Sequence, residues 1–169
     1  MIEYRDAVAA DAPALTEMAR RSFVETFAHL YAQEDLDVFL AEAFGPNGLP
    51  SHVGDPQFTI RLALDGGVIA GFAKLGKNTL PAPAAVDAVE LKQLYVSSAW
   101  QGRGVAAELM EWSLASARAR GARTLVLGVF AGNVRAQRFY ARYGFAEIGR
   151  NPFRVGKQID DDRIWSVTL

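Results

Sequence analysis

The chain has 169 residues, in which 18 Lys plus Arg and 19 Asp plus Glu leave a formal charge of −1. It contains no cysteine, which excludes a disulfide framework, a thiolate zinc site and a cysteine nucleophile. Two histidines are too few for a histidine-rich metal site, and a charge near zero gives no electrostatic footprint for nucleic acid. The length and the 50% hydrophobic content predict one domain over residues 1–169.

The N-terminal segment and the apolar runs bear on where in the cell the protein is expected. Glu3, Arg5 and Asp6 leave no apolar core for a signal peptide. The longest apolar run, near Leu125 to Ala131, is far shorter than the ~20 residues of a membrane helix. We therefore expect a cytoplasmic protein with no membrane or nucleic-acid partner.

The first half of the chain predicts a strand, two helices and a hairpin. Ile2–Arg5 is the strand, Asp11 is the expected N-cap of the first helix, and residues 45–50 end the second. The apolar residues at helical spacing are Leu15, Met18, Ala19, Ser22 and Phe23, then Leu36, Phe39, Leu40 and Ala43. Two extended runs, Phe58–Leu64 and Val68–Phe72, flank a short Asp/Gly turn and predict the hairpin.

The second half alternates strands and helices. The predicted elements are a loop at Lys77–Asp87, strands at Val89–Val96 and Thr124–Phe130, helices at Gly104–Arg120 and Val134–Tyr143, and final strands at Ala146–Gly149 and Ile164–Leu169. The strand–helix–strand unit requires a parallel pair with a right-handed crossover, and the other strands are expected to be antiparallel. The predicted fold class is α/β (α+β), a single domain with a mixed, mostly antiparallel central sheet.

A glycine-containing turn between a strand and a helix, Val96–Ala106, is the sharpest local signal. Free N–H groups at a helix N-terminus, approached through glycine, form a cradle for a phosphate or pyrophosphate, and Arg103 can add a charged contact. The Lys-Ser/Thr pair of an ATP-binding loop is missing, and Ala107 stands where a dinucleotide-binding loop needs glycine. An ordinary tight turn remains the alternative.

Two motifs resemble those of the GNAT superfamily, the acetyl-CoA-dependent N-acetyltransferases. Gln101–Ala106 is similar to their Q/R-x-x-G-x-G/A loop. Asn133–Phe145 meets all six fixed positions of N-x-x-A-x-x-F-Y-x-x-x-G-F. One helix and one strand separate the motifs, as the family requires. The resemblance implies a fold in which the parallel fourth and fifth strands splay apart around the pantetheine arm.

The resemblance also implies two catalytic residues. Glu90, on the strand ahead of the loop, is the expected general base, and a solvent-facing charge beside Lys92 is the alternative. Tyr140 is the expected acid that faces the thioester sulfur, and packing in the core is the alternative.

Acetyl-CoA is the implied cosubstrate, and no metal is expected. The implied contacts are Leu94, Tyr95, Val96, Gln101, Gly102, Arg103, Gly104, Val105, Ala106 and Asn133. Leu94 and Val96 are expected to bind the pantetheine amides through their backbone, and Asn133 is expected to cap the following helix as well. Arg135, Arg138 and Arg142 share a helical face that suits either a 3′-phosphate or solvent.

The acceptor is expected to be a primary amine. Phe23–Phe27 and Glu34–Leu36 resemble bacterial spermidine/spermine acetyltransferases, as do residues around Phe153–Gly156. The acidic stretches 32–44 and 160–162 would attract a polycation, or they are simply solvated charges. We expect direct transfer to a polyamine in a ternary complex. The open alternatives are another amine (a peptide N-terminus, lysine, an aminoglycoside or a small metabolite) and a non-catalytic acyl-CoA-binding module, and a homodimer is not decided by the sequence.

Overall fold

The computed structural model describes residues 1–81 and 87–169, so that residues 82–86 of the predicted loop lie outside the described residues. The strands are β1 (Ile2–Asp6), β2 (Phe58–Asp65), β3 (Val68–Lys77), β4 (Ala88–Val96), β5 (Thr124–Phe130), β6 (Ala146–Val155) and β7 (Gln158–Thr168). The helices are α1 (Ala12–Phe27), α2 (Gln33–Ala43), α3 (Leu49–His52), α4 (Val105–Ala119) and α5 (Val134–Ala141). The predicted order of elements is confirmed, and the short α3 is added to it.

The seven strands form one sheet in the order β1-β2-β3-β4-β5-β7-β6. The pair β4–β5 is parallel, joined by the crossover helix α4, and the other five pairs are antiparallel. The predicted mixed, mostly antiparallel α/β domain is therefore confirmed.

The parallel strands separate soon after they meet. Their pairing covers only Ala88–Glu90 of β4, although that strand continues to Val96. β5 instead pairs along its whole length with β7. The remaining edge of β4 that faces β5 has no ladder partner among the described residues, and a gap opens in the middle of the sheet. This is the predicted splay of the fourth and fifth strands.

A bulge in β4 decides which face of the sheet its residues occupy. β3 pairs with Leu91 and then with Gln93, so that Lys92 between them has no partner in the ladder. The β4 side chains that pack in the core beneath α4 are Val89, Leu91, Leu94 and Val96. Tyr95 packs instead with the core beneath α1. The extra residue thus shifts the alternation by one position and keeps apolar side chains under α4 on both sides of the bulge.

Two hydrophobic cores lie on opposite faces of the sheet. The core beneath α1 and α2 contains Leu15, Phe23, Leu36, Leu62 and Phe72. The core beneath α4 and α5 contains Val105, Leu109, Met110, Leu125 and Phe145. The helical periodicity of α1 and α2 correctly identified the buried faces of these helices.

Several local predictions are wrong. β6 continues to Val155, because Gly149 and Pro152 lie within an edge strand, where the N–H that proline lacks is not needed for pairing. β7 begins at Gln158 and pairs with this longer β6. Lys77 belongs to β3 and not to the loop. Asp11 does not cap α1: its carboxylate pairs with the Arg5 guanidinium at 2.7 and 2.8 Å and accepts the Val8 N–H at 2.8 Å. This arrangement holds the pKa of Asp11 at about 2.

Candidate functional site

A cavity of about 670 Å³ passes through the gap between β4 and β5. On the α1 face its walls are Ser22, Phe23, Thr26, Phe27, Tyr31, Phe153, Asp160 and Asp162. On the α4 face they are Ala106, Ala107, Ala136, Phe139 and Tyr140. The cavity therefore connects the two faces of the sheet through its interior.

The structure brings most of the predicted site residues to this cavity. Those that line it are Leu94, Tyr95, Val96, Gln101, Gly102, Gly104, Ala106, Asn133 and Tyr140. Glu90, Arg103 and Val105 do not line it. Val105 is buried in the core beneath α4, and Arg103 is exposed. Any contact that Val105 makes with a ligand must therefore use its backbone.

The loop before α4 is open to a ligand. Gly102 and Gly104 adopt φ of +76° and +83°, and a Cβ built on either would meet nothing within 4 Å. Gly104 immediately precedes α4, whose first N–H groups have no acceptor within the helix. The arrangement has the open backbone, free N–H groups and positive helix end that favour a phosphate group.

Side chains fix this loop to its surroundings. The Gln101 amide donates to the Val96 carbonyl at 3.1 Å and accepts from the Arg135 guanidinium at the start of α5. The Trp100 indole N–H donates to Asp65 at 3.0 Å. Gln101 therefore ties the end of β4 to α5, and it places the Arg135 cation beside the phosphate-type loop.

The second motif places a cap and a phenol on α5. The Asn133 side chain accepts the Ala136 N–H at 3.2 Å, which confirms the predicted N-cap. Tyr140 lies near the other end of α5 and lines the cavity. Burial, with a smaller contribution from Tyr95, raises the pKa of Tyr140, so its phenol keeps its proton at neutral pH.

Glu90 is buried, with 7% of its surface exposed, so the alternative of a solvent-facing charge is wrong. Its Oε2 accepts hydrogen bonds from the Thr79 N–H at 2.9 Å, the Thr79 hydroxyl at 3.0 Å and the Lys92 ammonium at 2.7 Å. The carboxylate is thus part of a polar cluster with Thr79 and Lys92, of which only Lys92 lines the cavity. Its role as a base stays a prediction.

An acidic and aromatic end of the cavity lies on the α1 face. The Tyr31 hydroxyl donates to Asp160, which also accepts from the Gln158 amide at 2.9 Å and is 6% exposed. Asp162, two residues along β7, has a buried Oδ1 with no hydrogen-bond partner among the described residues. Burial, followed by the charges of Asp160 and Asp161, raises the pKa of Asp162 to about 6. Phe27 and Phe153 complete this end.

The sequence showed the acidic run 160–162 but not how its members divide. Asp161 is exposed and pairs with the Arg163 guanidinium at 2.8 and 3.0 Å, whereas Asp160 and Asp162 face the cavity. The other acidic stretch, 32–44, does not contribute to the cavity wall. Strand alternation over 158–168 would have separated these aspartates, had the full length of β7 been recognised.

Neither a metal centre nor a membrane span is found in the described parts of the chain. Over residues 1–81 and 87–169, no cluster of three or more His, Cys, Asp or Glu is arranged to hold a metal ion. Within the same residues, the helices are too short or too polar to cross a membrane.

Comparisons with known proteins agree with this architecture. A model of the acetyltransferase (GNAT) family matches residues 13–145. An uncharacterized N-acetyltransferase of Mycobacterium tuberculosis (strain ATCC 25618 / H37Rv) is 34% identical over 154 residues, which cover 91% of this chain and 95% of the relative. An uncharacterized N-acetyltransferase from Lactobacillus delbrueckii subsp. lactis is 29% identical over 158 residues, which cover 90% and 87%.

Solved structures share the fold. The PaiA N-acetyltransferase of Thermoplasma acidophilum, in complex with coenzyme A, has a TM-score of 0.80 at 20% identity and covers 100% of this chain and 99% of its own. The ribosomal-protein-alanine N-acetyltransferase of Brucella melitensis has a TM-score of 0.70 at 24% identity and covers 99% of both chains.

The split sheet, its through-going cavity and the glycine loop define the fold of an acetyltransferase. With the family model matching most of its length, the chain belongs to the acetyltransferase (GNAT) family. It is an N-acetyltransferase, and enzymes of this family take the acetyl group from acetyl-CoA.

Proposed function

We propose that this enzyme acetylates a cationic primary amine, with polyamines such as spermidine and spermine as the leading acceptors, by direct transfer from acetyl-CoA in a ternary complex. The single observation that carries the proposal is the division of charge along one cavity. A cation and a helix N-terminus lie at one end, and two aspartates lie at the other.

The positive end suits the cosubstrate. The Gln101–Ala106 loop offers open glycine backbone and free N–H groups for a diphosphate, and Arg135 adds a guanidinium beside it. Leu94 and Val96 lie on the unpaired edge of β4, where an extended arm with amide groups can add to the sheet as a strand does. Bound in this way, the pantetheine would run along the gap toward Tyr140.

The acidic end suits the acceptor. Asp160 and Asp162 attract an ammonium group, and the rings of Phe27, Tyr31 and Phe153 offer apolar walls and π-faces to a methylene chain that carries cations. Lys92 also lines the cavity, but its ammonium is already paired with the Glu90 carboxylate at 2.7 Å. A molecule with several amines can therefore place one at the gap and others against the carboxylates.

Tyr140 is the proposed acid for the departing thiolate. Because burial raises the pKa of its phenol, the group is protonated across the neutral range and can donate to sulfur. Asn133 fixes the start of the helix that carries it.

An assay of thiol release with acetyl-CoA and a panel of amines tests the proposal. We expect kcat/KM for spermidine or spermine to exceed that for a monoamine by about tenfold or more, since about 1.4 kcal/mol from a second ammonium gives that factor. Turnover of only a peptide or an aminoglycoside would discard the polyamine and keep the enzyme class. Tight acetyl-CoA binding with no thiol release for any amine would contradict catalysis.

Replacement of Tyr140 tests the acid. Tyr140→Phe should lower kcat by about 100-fold, the usual scale of general acid catalysis, with no change in the Kd of acetyl-CoA. Tyr143→Phe is the matched control, because Tyr143 lies on the adjoining turn, packs against Phe139 and does not line the cavity. Equal kcat for both variants would remove Tyr140 from the role.

A further inference from the structure

Any amine that enters the cavity as an ammonium ion must lose a proton before its nitrogen can attack. At pH 7 only about one molecule in a thousand of an amine with a pKa of about 10 is unprotonated, and a base in the site lowers the cost of removing the proton. Such a base can come from Asp160 or Asp162 at the acidic end, or from Glu90. These three carboxylates differ in their hydrogen-bond partners.

Glu90 and Asp160 are already committed to other partners. One oxygen of Glu90 accepts three hydrogen bonds, and the residue does not line the cavity. Asp160 lines the cavity, but each of its oxygens accepts a hydrogen bond, one from Tyr31 and one from Gln158. Both carboxylates therefore already have fixed hydrogen-bond donors within the protein.

Asp162 differs from both. It lines the cavity from β7, opposite Phe130 of β5, at the side of the gap that faces the acidic end. Its buried Oδ1 has no hydrogen-bond donor among the described residues. A carboxylate that is desolvated and unpaired is costly, and a proton from a neighbouring donor relieves that cost. This is the local environment of a proton acceptor.

We propose that Asp162, rather than Glu90, accepts the proton that the substrate ammonium loses. The inference rests on the proposed function and adds a residue to it. The N–H bond of the ammonium breaks as the Asp162 carboxylate takes its proton. The freed lone pair forms the C–N bond at the thioester carbonyl carbon, and the C–S bond breaks. The thiolate receives a proton from Tyr140, which recovers one from the nitrogen as the amide forms. The proton on Asp162 leaves to solvent, so that one proton is released per turnover.

The surroundings of Asp162 determine the pH at which it can act. The titratable and charged groups that share the cavity wall with it are Tyr31, Lys92, Tyr95, Arg135, Tyr140, Arg142 and Asp160. Burial and the charges of Asp160 and Asp161 raise its pKa to about 6, so the carboxylate is ionised, and able to accept a proton, above that pH. The kcat/KM of the enzyme should therefore fall as the pH drops below about 6.

Three variants test the assignment with acetyl-CoA and the best polyamine between pH 5 and 9. Asp162→Asn keeps the size of the side chain and should lower kcat by about 100-fold, abolish the acid limb of kcat/KM and leave the Kd of acetyl-CoA unchanged. Asp161→Asn is the matched control: it removes one charge from the adjacent, exposed position and should keep kcat and retain the acid limb, moved to lower pH because one of the charges that raise the pKa of Asp162 is gone. Glu90→Gln tests the rival, and a loss confined to that variant would overturn the proposal.

The remaining outcomes are distinct. An Asp162→Asn effect confined to KM for the amine, with the acid limb kept, would make Asp162 a binding group only and overturn its role as proton acceptor. Restoration of the acid limb in Asp162→Glu, at a pH of its own, would support it. If the wild-type enzyme turns over no amine at all, the proposed function falls and this inference falls with it. If the wild type is active and Asp162→Asn matches it, only this inference falls.

Discussion

The φ of +83° at Gly104, in an open loop, allows the phosphate-type cradle to be tested separately from the fold. Gly104→Ala forces a Cβ into the left-handed region, which costs about 1–2 kcal/mol. No clash adds to this, since the Cβ would meet nothing within 4 Å. For a domain of this size the melting temperature should fall by about 2–4 °C for each 1 kcal/mol. The same methyl group would occupy the space through which a diphosphate approaches the N–H groups of α4.

The effect on acetyl-CoA should be larger than the effect on the fold. One lost hydrogen bond to a charged group costs about 1.5–3 kcal/mol, so the Kd of acetyl-CoA should rise by about 10- to 100-fold. Gly121→Ala is the matched control, because Gly121 follows the other end of α4, has φ of +76° and also has nothing within 4 Å of its Cβ.

Calorimetric titration with acetyl-CoA and thermal unfolding, performed on both variants, separate the two effects. Both proteins should lose the same stability, and only Gly104→Ala should lose affinity. If the two variants bound acetyl-CoA equally well, the glycine loop would not be the site of the diphosphate and the argument from its geometry would be refuted.

Two further changes act on stability. Asn133→Ala should reduce the free energy of unfolding by about 1 kcal/mol in urea, because the Ala136 N–H loses its cap, whereas an unchanged midpoint would show that water replaces it. Lys74 is 6% exposed, its ammonium lies 3.0 Å from His52 Nδ1, and burial lowers its pKa from 10.5 to about 8. Because the unfolded chain then binds more protons between those values, wild-type stability should rise above pH 8 relative to Lys74→Met, by up to about 1.4 kcal/mol per pH unit; parallel pH profiles of the two proteins would contradict this.

The local motifs were enough to predict the architecture and one end of the cavity. Helix starts, buried helix faces and the β2–β3 hairpin follow from short-range chemistry, and both glycines of the two-residue turn, Gly66 and Gly67, have the positive φ that such turns need. The match of Gln101–Ala106 and Asn133–Phe145 to family motifs located the loop and Tyr140 at the gap. These signals are contained within segments of about a dozen residues.

The acidic end could not be predicted in the same way because it is assembled from distant parts of the chain. Tyr31 meets Asp160 across 129 positions, and only the register of β7 separates Asp160 and Asp162 from Asp161. Glycine and proline in β6 concealed that register, since these residues normally end strands but are tolerated at an edge. Neither composition nor spacing shows that the Glu90 carboxylate is occupied by Thr79 and Lys92.

The bulge at Lys92 lets β4 change its length without changing what it presents to either layer of the domain. Because β3 already pairs in consecutive steps with the residues on either side of Lys92, loss of this position would leave a regular ladder in which Leu94 and Val96 still lie under α4 and Tyr95 still lies toward α1. Such a codon loss would instead remove the ammonium that donates to the Glu90 carboxylate at 2.7 Å. Homologues that are aligned to this chain without a residue at position 92 should therefore keep the same cavity wall and differ in what neutralises that carboxylate.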